Sequence, residues 1–246
     1  MIVTSASDVG MVRSDNQDSL FVHEFTDSCG LFIVADGMGG HRGGKMASSL
    51  AIEEISRTVI DEFKESMTEL EIKDLLRRSI RSANKKIYKA SLENEELNGM
   101  GTTVVVSVIL NNILYTANVG DSRQYIYSDD KFYQVTSDHS LVADLVSRGI
   151  ISSEEARSHP QKNVITRAVG SEDDVIIDCF VNELKNTDCI LMCSDGLNTM
   201  LTDEEITSAF TNNSDEIASS LIEMANKKGG RDNITVITIK IIDEEN

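Results

Sequence analysis

Several things are scarce in these 246 residues. There is one proline, Pro160, and no tryptophan, and all aromatics together reach only 5 %. No Pro-, Ser- or Gly-rich tract marks a linker, so residues 1–246 read as one unit rather than a string of modules. There are four cysteines, Cys29, Cys179, Cys189 and Cys193, with no C-x-x-C pair, which excludes a disulfide-stapled miniature. Cys189 and Cys193 lie four apart in an apolar run that reads as a strand, so they share a face. They read as reduced core thiols, with half of a metal site as the alternative. No apolar run approaches the ~18–20 residues that span a bilayer. The segment Met1-Ile2-Val3-Thr4-Ser5 lacks the basic-then-apolar pattern of a secretion signal. A cytoplasmic protein with no membrane association is therefore expected. Cations are outnumbered, 23 Lys and Arg against 41 Asp and Glu, for a net charge of −18. That disfavours a nucleic-acid binder, which needs a basic surface.

What is present is enough to build a core, since 40 % of the chain is hydrophobic. Residues 31–35 read as a buried strand. Residues 44–64 and 71–93 read as two long helices. Ile52, Ile55, Val59 and Phe63 mark the apolar face of the first, and Leu75, Ile80, Ile87 and Leu92 that of the second. The apolar runs 102–110 and 113–119 meet at Asn111-Asn112, a hairpin signal. A second hairpin is expected at 123–127 and 132–136, around Asp129-Asp130-Lys131. The polar stretch 140–170 holds the only proline and a capping box, Ser152-x-x-Glu155. It reads as an excursion with one or two short helices. Strands follow at 175–181 and 189–193, helices at 203–210 (capped by Thr202-x-x-Glu205) and 214–227, and a last strand at 234–242. Strands in groups followed by helices in groups predict an antiparallel α+β layered fold.

Four aspartates stand apart from the acidic surface. Asp36 ends a buried strand in Val34-Ala35-Asp36-Gly37, and Asp195 ends another in Cys193-Ser194-Asp195-Gly196. Asp121 follows the strand 113–119, and Asp232 precedes the last strand. Any one of these could be an ordinary turn. Together, at strand ends, they can meet at one edge of an antiparallel layer, where like charges repel unless a cation lies between them. Oxygen-only ligands suit a hard ion such as Mg²⁺ or Mn²⁺. Gly37 and Gly196 would let the backbone approach that ion, and Gly37 could offer its carbonyl. Arg13 supplies a forked cation suited to phosphate, and Asp18 a further carboxylate.

Six blocks now carry a resemblance. They are Arg13-x-x-Asn16-x-Asp18, Val34 to His41, Gly101-Thr102-Thr103, Asn118 to Arg123, Cys193 to Leu197, and Asp232 to Thr235. In that order they resemble the metal-dependent serine/threonine protein phosphatases of type 2C, the PPM family, in its compact bacterial form. The resemblance implies a four-layer αββα sandwich, two central antiparallel sheets flanked by helix pairs. It implies two core ions, Mn²⁺ or Mg²⁺, and possible room for a third. By position, Asp36 would bridge two metals, Asp195 and Asp232 would complete the first, and the Gly37 carbonyl the second. Asp18 would act on the second metal through water, and Asp121, with Asp195, would hold the third. Arg13 would bind the substrate phosphate, and residues 140–170 would form a mobile flap beside the cleft. The implied reaction is attack of a metal-bridging hydroxide on the phosphorus of phosphoserine or phosphothreonine, opposing a bacterial Ser/Thr kinase. The expected partners are phosphorylated proteins, and the expected state is a monomer.

Two positions depart from the family pattern. Gln17 stands where many relatives have Glu, which removes a charge beside Asp18. Met38 stands where animal relatives carry a His, so His41 becomes the candidate general acid, with a metal-bound water as the alternative. His139 reads as structural. The rival readings are a regulatory phosphatase acting on an anti-sigma antagonist, a phosphoprotein-binding module without turnover, and a two-metal nuclease. The intact set Asp36, Asp195 and Asp232 argues against the second, and the net charge against the third.

Overall fold

The structure, a computed structural model, describes residues 1–211 and 216–242, leaving aside the side chains of His41 and Thr211. Eleven strands among the described residues form two antiparallel sheets. One sheet contains β1 (Ile2–Asp8), β7 (Arg123–Ser128), β8 (Lys131–Gln134), β10 (Cys189–Cys193) and β11 (Ile234–Lys240), in the order β1-β11-β10-β7-β8. The other contains β2 (Asp18–Thr26), β3 (Cys29–Met38), β5 (Val104–Leu110), β6 (Ile113–Val119) and β9 (Asp178–Glu183), in the order β2-β3-β5-β6-β9. The two-residue strand β4 (Gly101–Thr102) pairs with the end of β3.

Period-2 burial sorts each strand between two cores. In β3, Phe32 and Val34 face the other sheet, while Leu31, Ile33 and Ala35 face a helix pair. That pair is α1 (Gly40–Glu62) and α2 (Glu69–Glu93). In β10, Ile190 and Met192 join the core between the sheets, and Cys189, Leu191 and Cys193 face the other helix pair. That pair is α6 (Asp203–Thr211) and α7 (Ile217–Lys227). Three apolar layers thus separate four layers of structure, and the αββα sandwich is observed. The cysteines are free, and burial pushes the Cys193 thiol up to about 12 and the Cys29 thiol up to about 11.

Both expected hairpins form. Asn111 and Asn112, and likewise Asp129 and Asp130, have positive φ of 50–59°, the type I′ geometry that matches strand twist. Lys131 belongs to β8 rather than to the turn. The 140–170 excursion carries α3 (Leu141–Ser147) and α4 (Ser153–Ser158), the latter with its capping box formed by Ser152 and Glu155. Thr202 and Glu205 exchange the same pair of bonds ahead of α6. Residues 214–215 of the expected helix 214–227 lie outside the described residues.

Some local readings change. β1 and β2 carry no clean alternation in the sequence, yet both are strands. Asp36 does not end β3, which runs on to Met38 by pairing with β4, and Asp195 does not end β10; it opens a single helical turn, α5 (Asp195–Asn198). Leu92 does not belong to the apolar face of α2: it is 69 % exposed, on the side facing solvent.

Candidate metal centre

The site is built where β3 leaves its sheet. Asp18 and Asp36 are directly opposed Cα partners on β2 and β3. The backbone of Asp36 is held on both edges. Its N–H donates to the Thr103 hydroxyl at 3.0 Å. Its carbonyl accepts from the Thr103 amide and the Thr102 hydroxyl, each at 2.8 Å. Thr103 in turn meets the Ser122 hydroxyl at 2.6 Å, next to Asp121. The two threonines therefore fix the Asp36 and Asp121 loops against each other, a role for Gly101-Thr102-Thr103 that the sequence does not reveal.

Asp195 and Asp232 arrive from the other sheet. Ser194 and Thr235 pair through their backbones, and the Ser194 hydroxyl donates to Asp18 Oδ2 at 2.7 Å, which ties the two sheets together beneath the site. Asn233 pins the loop that carries Arg13: its side chain donates to the Val9 and Asp15 carbonyls and accepts from the Gln17 amide, all at 2.8–2.9 Å. Arg13 reaches back to Asp232 Oδ2 at 2.8 Å. The Gln17 side chain donates to the Gly40 carbonyl in the first turn of α1, a bond that an ionised Glu could not donate.

A cavity of about 360 Å³ collects these groups. Arg13, Asp36, Gly37, Asp121, Asp195 and Asp232 all line it, and so do Asn163 and Ile165 from the 140–170 excursion. Asp18 lies behind the cavity wall at 2 % exposure, with Oδ1 buried and without a hydrogen-bond partner. The backbone of His41 sits in the first turn of α1; its side chain is outside the described residues. The two glycines also meet backbone closely. A Cβ on Gly37 would lie 2.0 Å from the Gly44 carbonyl oxygen, and one on Gly196 2.0 Å from that of Asn233. Both glycines are needed for one backbone to pack against another, which seats α1 and α5 beside the cavity.

Burial and crowding push several of these carboxylates toward protonation. Burial first, then Asp18, Asp195, Asp121 and Asp232, push Asp36 well above the usual carboxylate range. Burial and the charges of Asp121 and Asp232 push Asp195 up to about 8, and burial with Asp138 pushes Asp121 up to about 6. Burial raises Asp18 as well. Such a set is satisfied by a cation, and its donors are all oxygen, the preference of hard divalent ions. The unpartnered Asp18 Oδ1 fits the same demand. Among the described residues no group of three His, Cys, Asp or Glu side chains already closes around a metal position. Ions that keep several waters suit such an open donor set.

The chain is similar to known proteins over most of its length. Residues 11–234 match the family model for protein phosphatase 2C. A serine/threonine phosphatase Stp of Listeria welshimeri is 41 % identical over 239 residues, 95 % of this chain and 93 % of that one. A serine/threonine phosphatase structure from S. agalactiae superposes with a TM-score of 0.90 at 37 % identity, covering 98 % and 99 % of the two chains. The catalytic domain of the phosphatase PstP, solved with two manganese ions, superposes at 0.85 with 33 % identity, covering 98 % of each chain.

Proposed function

The chain belongs to the protein phosphatase 2C family of metal-dependent serine/threonine protein phosphatases, and we propose that the carboxylate-lined cavity is its catalytic site. The observation that carries this reading is the meeting of Asp36, Asp121, Asp195 and Asp232 with Arg13 around one cavity, with the carboxylates pushed toward protonation by burial and one another.

Asp36 would be shared by two ions, Asp195 and Asp232 would complete one, and the Gly37 carbonyl the other. Asp18 would support the second from behind, and Asp121 with Asp195 would take a third. Mn²⁺ or Mg²⁺ fits these donors, and the manganese in the PstP neighbour favours Mn²⁺. When bound, the ions supply positive charge against the phosphoryl oxygens and make water more acidic at the site. Arg13 turns its guanidinium from Asp232 to the substrate phosphate, a planar fork matched to two oxygens. Thr102 and Thr103 keep Asp36 from moving as charge develops, so little reorganisation is needed in the transition state. Water oxygen bonds to phosphorus, the bond to the seryl or threonyl oxygen breaks, and a proton reaches that leaving oxygen. His41 is the proposed donor.

Residues 1–246 would act as one catalytic unit, and as a single copy. The excursion carrying α3 and α4 would serve as a flap, since Asn163 and Ile165 form part of the cavity wall. The expected substrates are targets of a Ser/Thr kinase in the cytoplasm. Among the described residues no helix is long and apolar enough to cross a membrane.

The test is hydrolysis of a phosphothreonine peptide with Mn²⁺, with Mg²⁺ and with EDTA, alongside Asp195→Ala. Turnover should require metal and vanish in the variant. A folded protein with no turnover under any metal would leave only a phosphoprotein-binding role.

A further inference from the structure

The solvent face of α2 carries a feature that catalysis does not use. Leu70, Arg77, Arg81, Lys85, Tyr88 and Leu92 follow one another at intervals of seven, four, four, three and four residues, so they form a single ridge along the helix. The leucines at its two ends are 73 % and 69 % exposed. At 1.5 Å per residue they stand about 33 Å apart.

The charge of this helix runs against that of the molecule. α2 holds seven of the chain's 23 Lys and Arg, and four acids, in a protein of net charge −18. Four of its cations are neutralised locally. Arg78 pairs with Asp74 and Glu62, Lys86 with Glu53 and Glu54, Lys73 with Glu69, and Lys89 with Glu93. The three on the ridge differ. Among the described residues no carboxylate comes within ion-pair distance of Arg77, Arg81 or Lys85. A lone exposed leucine is ordinary, and so is a solvated cation. Arg77 is half-buried and leans on the Cys179 thiol of β9, so two leucines bracketing the exposed cations Arg81 and Lys85, with Arg77 at their edge, form a pattern complementary to a helix with the opposite charges.

We propose that this ridge docks an acidic amphipathic helix of a partner protein. Its carboxylates would face Arg81 and Lys85, with Arg77 at their edge, and its apolar side chains would cover Leu70 and Leu92. The flanks favour a narrow occupant over a lipid surface. On one side α1 presents Glu53, Glu54 and Glu62. On the other, Asn84 holds the backbone of Glu172 and Asp173 beside α2. A plane of anionic lipid would press against these acids and the rest of an acidic molecule, whereas one helix, about 10 Å wide, touches the ridge alone. Steering by these cations would speed encounter, and the leucines would slow release.

The test uses the full chain and a fluorescent 25-residue helical peptide. The peptide has leucines near both ends and glutamates at four-residue spacing between them. A lysine version and phosphatidylglycerol vesicles serve as competing probes. Anisotropy should show saturable one-to-one binding of the acidic peptide, weakening with salt, and none of the lysine version. Arg81→Glu with Lys85→Glu should weaken binding at least about tenfold, and Leu70→Ala with Leu92→Ala should weaken it as well. Circular dichroism would verify folding of each variant, and turnover of a short phosphothreonine peptide should be unchanged in both. Absence of saturable binding, equal binding by the charge-reversed variant, or preference for the vesicles would overturn the proposal. None of these outcomes touches the phosphatase reading, which fails separately if the short peptide is not hydrolysed.

Discussion

The Gly120 amide donates to Nδ1 of His139 at 3.0 Å, and the His139 amide donates back to the Gly120 carbonyl at the same distance. The pair clasps the residue before Asp121 to the start of the 140–170 excursion. Because Nδ1 accepts, the ring proton sits on Nε2, which faces Asp178 Oδ2 at 3.1 Å, and Arg167 holds the other Asp178 oxygen. His139→Ala would orphan a buried N–H, at a cost of about 1–3 kcal/mol. It would also loosen Asp121. We expect a lower urea midpoint and a lower kcat, with KM for a short phosphopeptide little changed. Wild-type stability and turnover in this variant would contradict the clasp.

The carboxylate cluster trades stability for metal binding. Asp36 is buried among Asp18, Asp195, Asp121 and Asp232, and burial first, then their repulsion, disfavours its ionised form in the folded chain when no cation is bound. Asp36→Asn removes the ionisable group, and with it the cost of protonating it in the folded state, at nearly constant shape. In EDTA it should stabilise the protein by about 1 kcal/mol, a rise in Tm of about 2–4 °C. The same variant should have no measurable turnover with Mn²⁺. A lower Tm than wild type in EDTA would show that the side chain is held by attraction rather than strained by repulsion.

The same shifts set a pH dependence. In the unfolded chain an aspartate loses its proton near pH 4, whereas Asp121 keeps its proton to about 6 and Asp195 to about 8 when folded. Between those limits the native state binds more protons than the unfolded one, so stability of the metal-free protein falls as pH rises from about 4 to about 8. Metal binding demands ionised ligands and expels those protons, so affinity for Mn²⁺ should climb over the same range. Melting curves in EDTA from pH 5.5 to 8.5, with Mn²⁺ titrations at each pH, check both slopes. A metal-free Tm that rises with pH would refute the assignment.

The sequence makes the site's ligands legible because their signals are local. Asp36-Gly37 and Asp195-Gly196 follow apolar runs, and Asn111-Asn112 sits between two more. The supporting contacts are not local. Ser194 reaches Asp18, and Asn233 reaches Val9, across gaps of 176 and 224 residues, and nothing in short polar side chains announces such partners. β1 was hidden for a related reason: Ser5 and Ser7 interrupt its apolar positions, and its pairing with β11 joins the two ends of the fold. Leu92 misled because helix period alone cannot separate a residue at the margin of the apolar face from one turned to solvent. At Gly37 and Gly196 the Asp-Gly pairing signals a tight spot, but that the neighbouring group is the backbone of Gly44 or Asn233 only the three-dimensional packing discloses.

Arg13 tests how the substrate is held. Its ion pair with Asp232 joins side chains that are 56 % and 37 % exposed, so losing it should cost at most about 1 kcal/mol of stability. Its value lies in phosphate recognition instead. With the loop still pinned by Asn233, Arg13→Ala should leave the Tm nearly unchanged and raise KM for phosphorylated peptides, with a smaller fall in kcat. Arg13→Lys should recover part of the loss, because it keeps the charge but not the fork. Removing the guanidinium also frees Asp232 Oδ2, so Mn²⁺ binding in the absence of substrate should hold or tighten slightly. A full steady-state titration, paired with metal binding to the substrate-free variant, separates the two effects. A variant that binds metal less well, at unchanged KM, would make Arg13 a support for Asp232 rather than a ligand of phosphate.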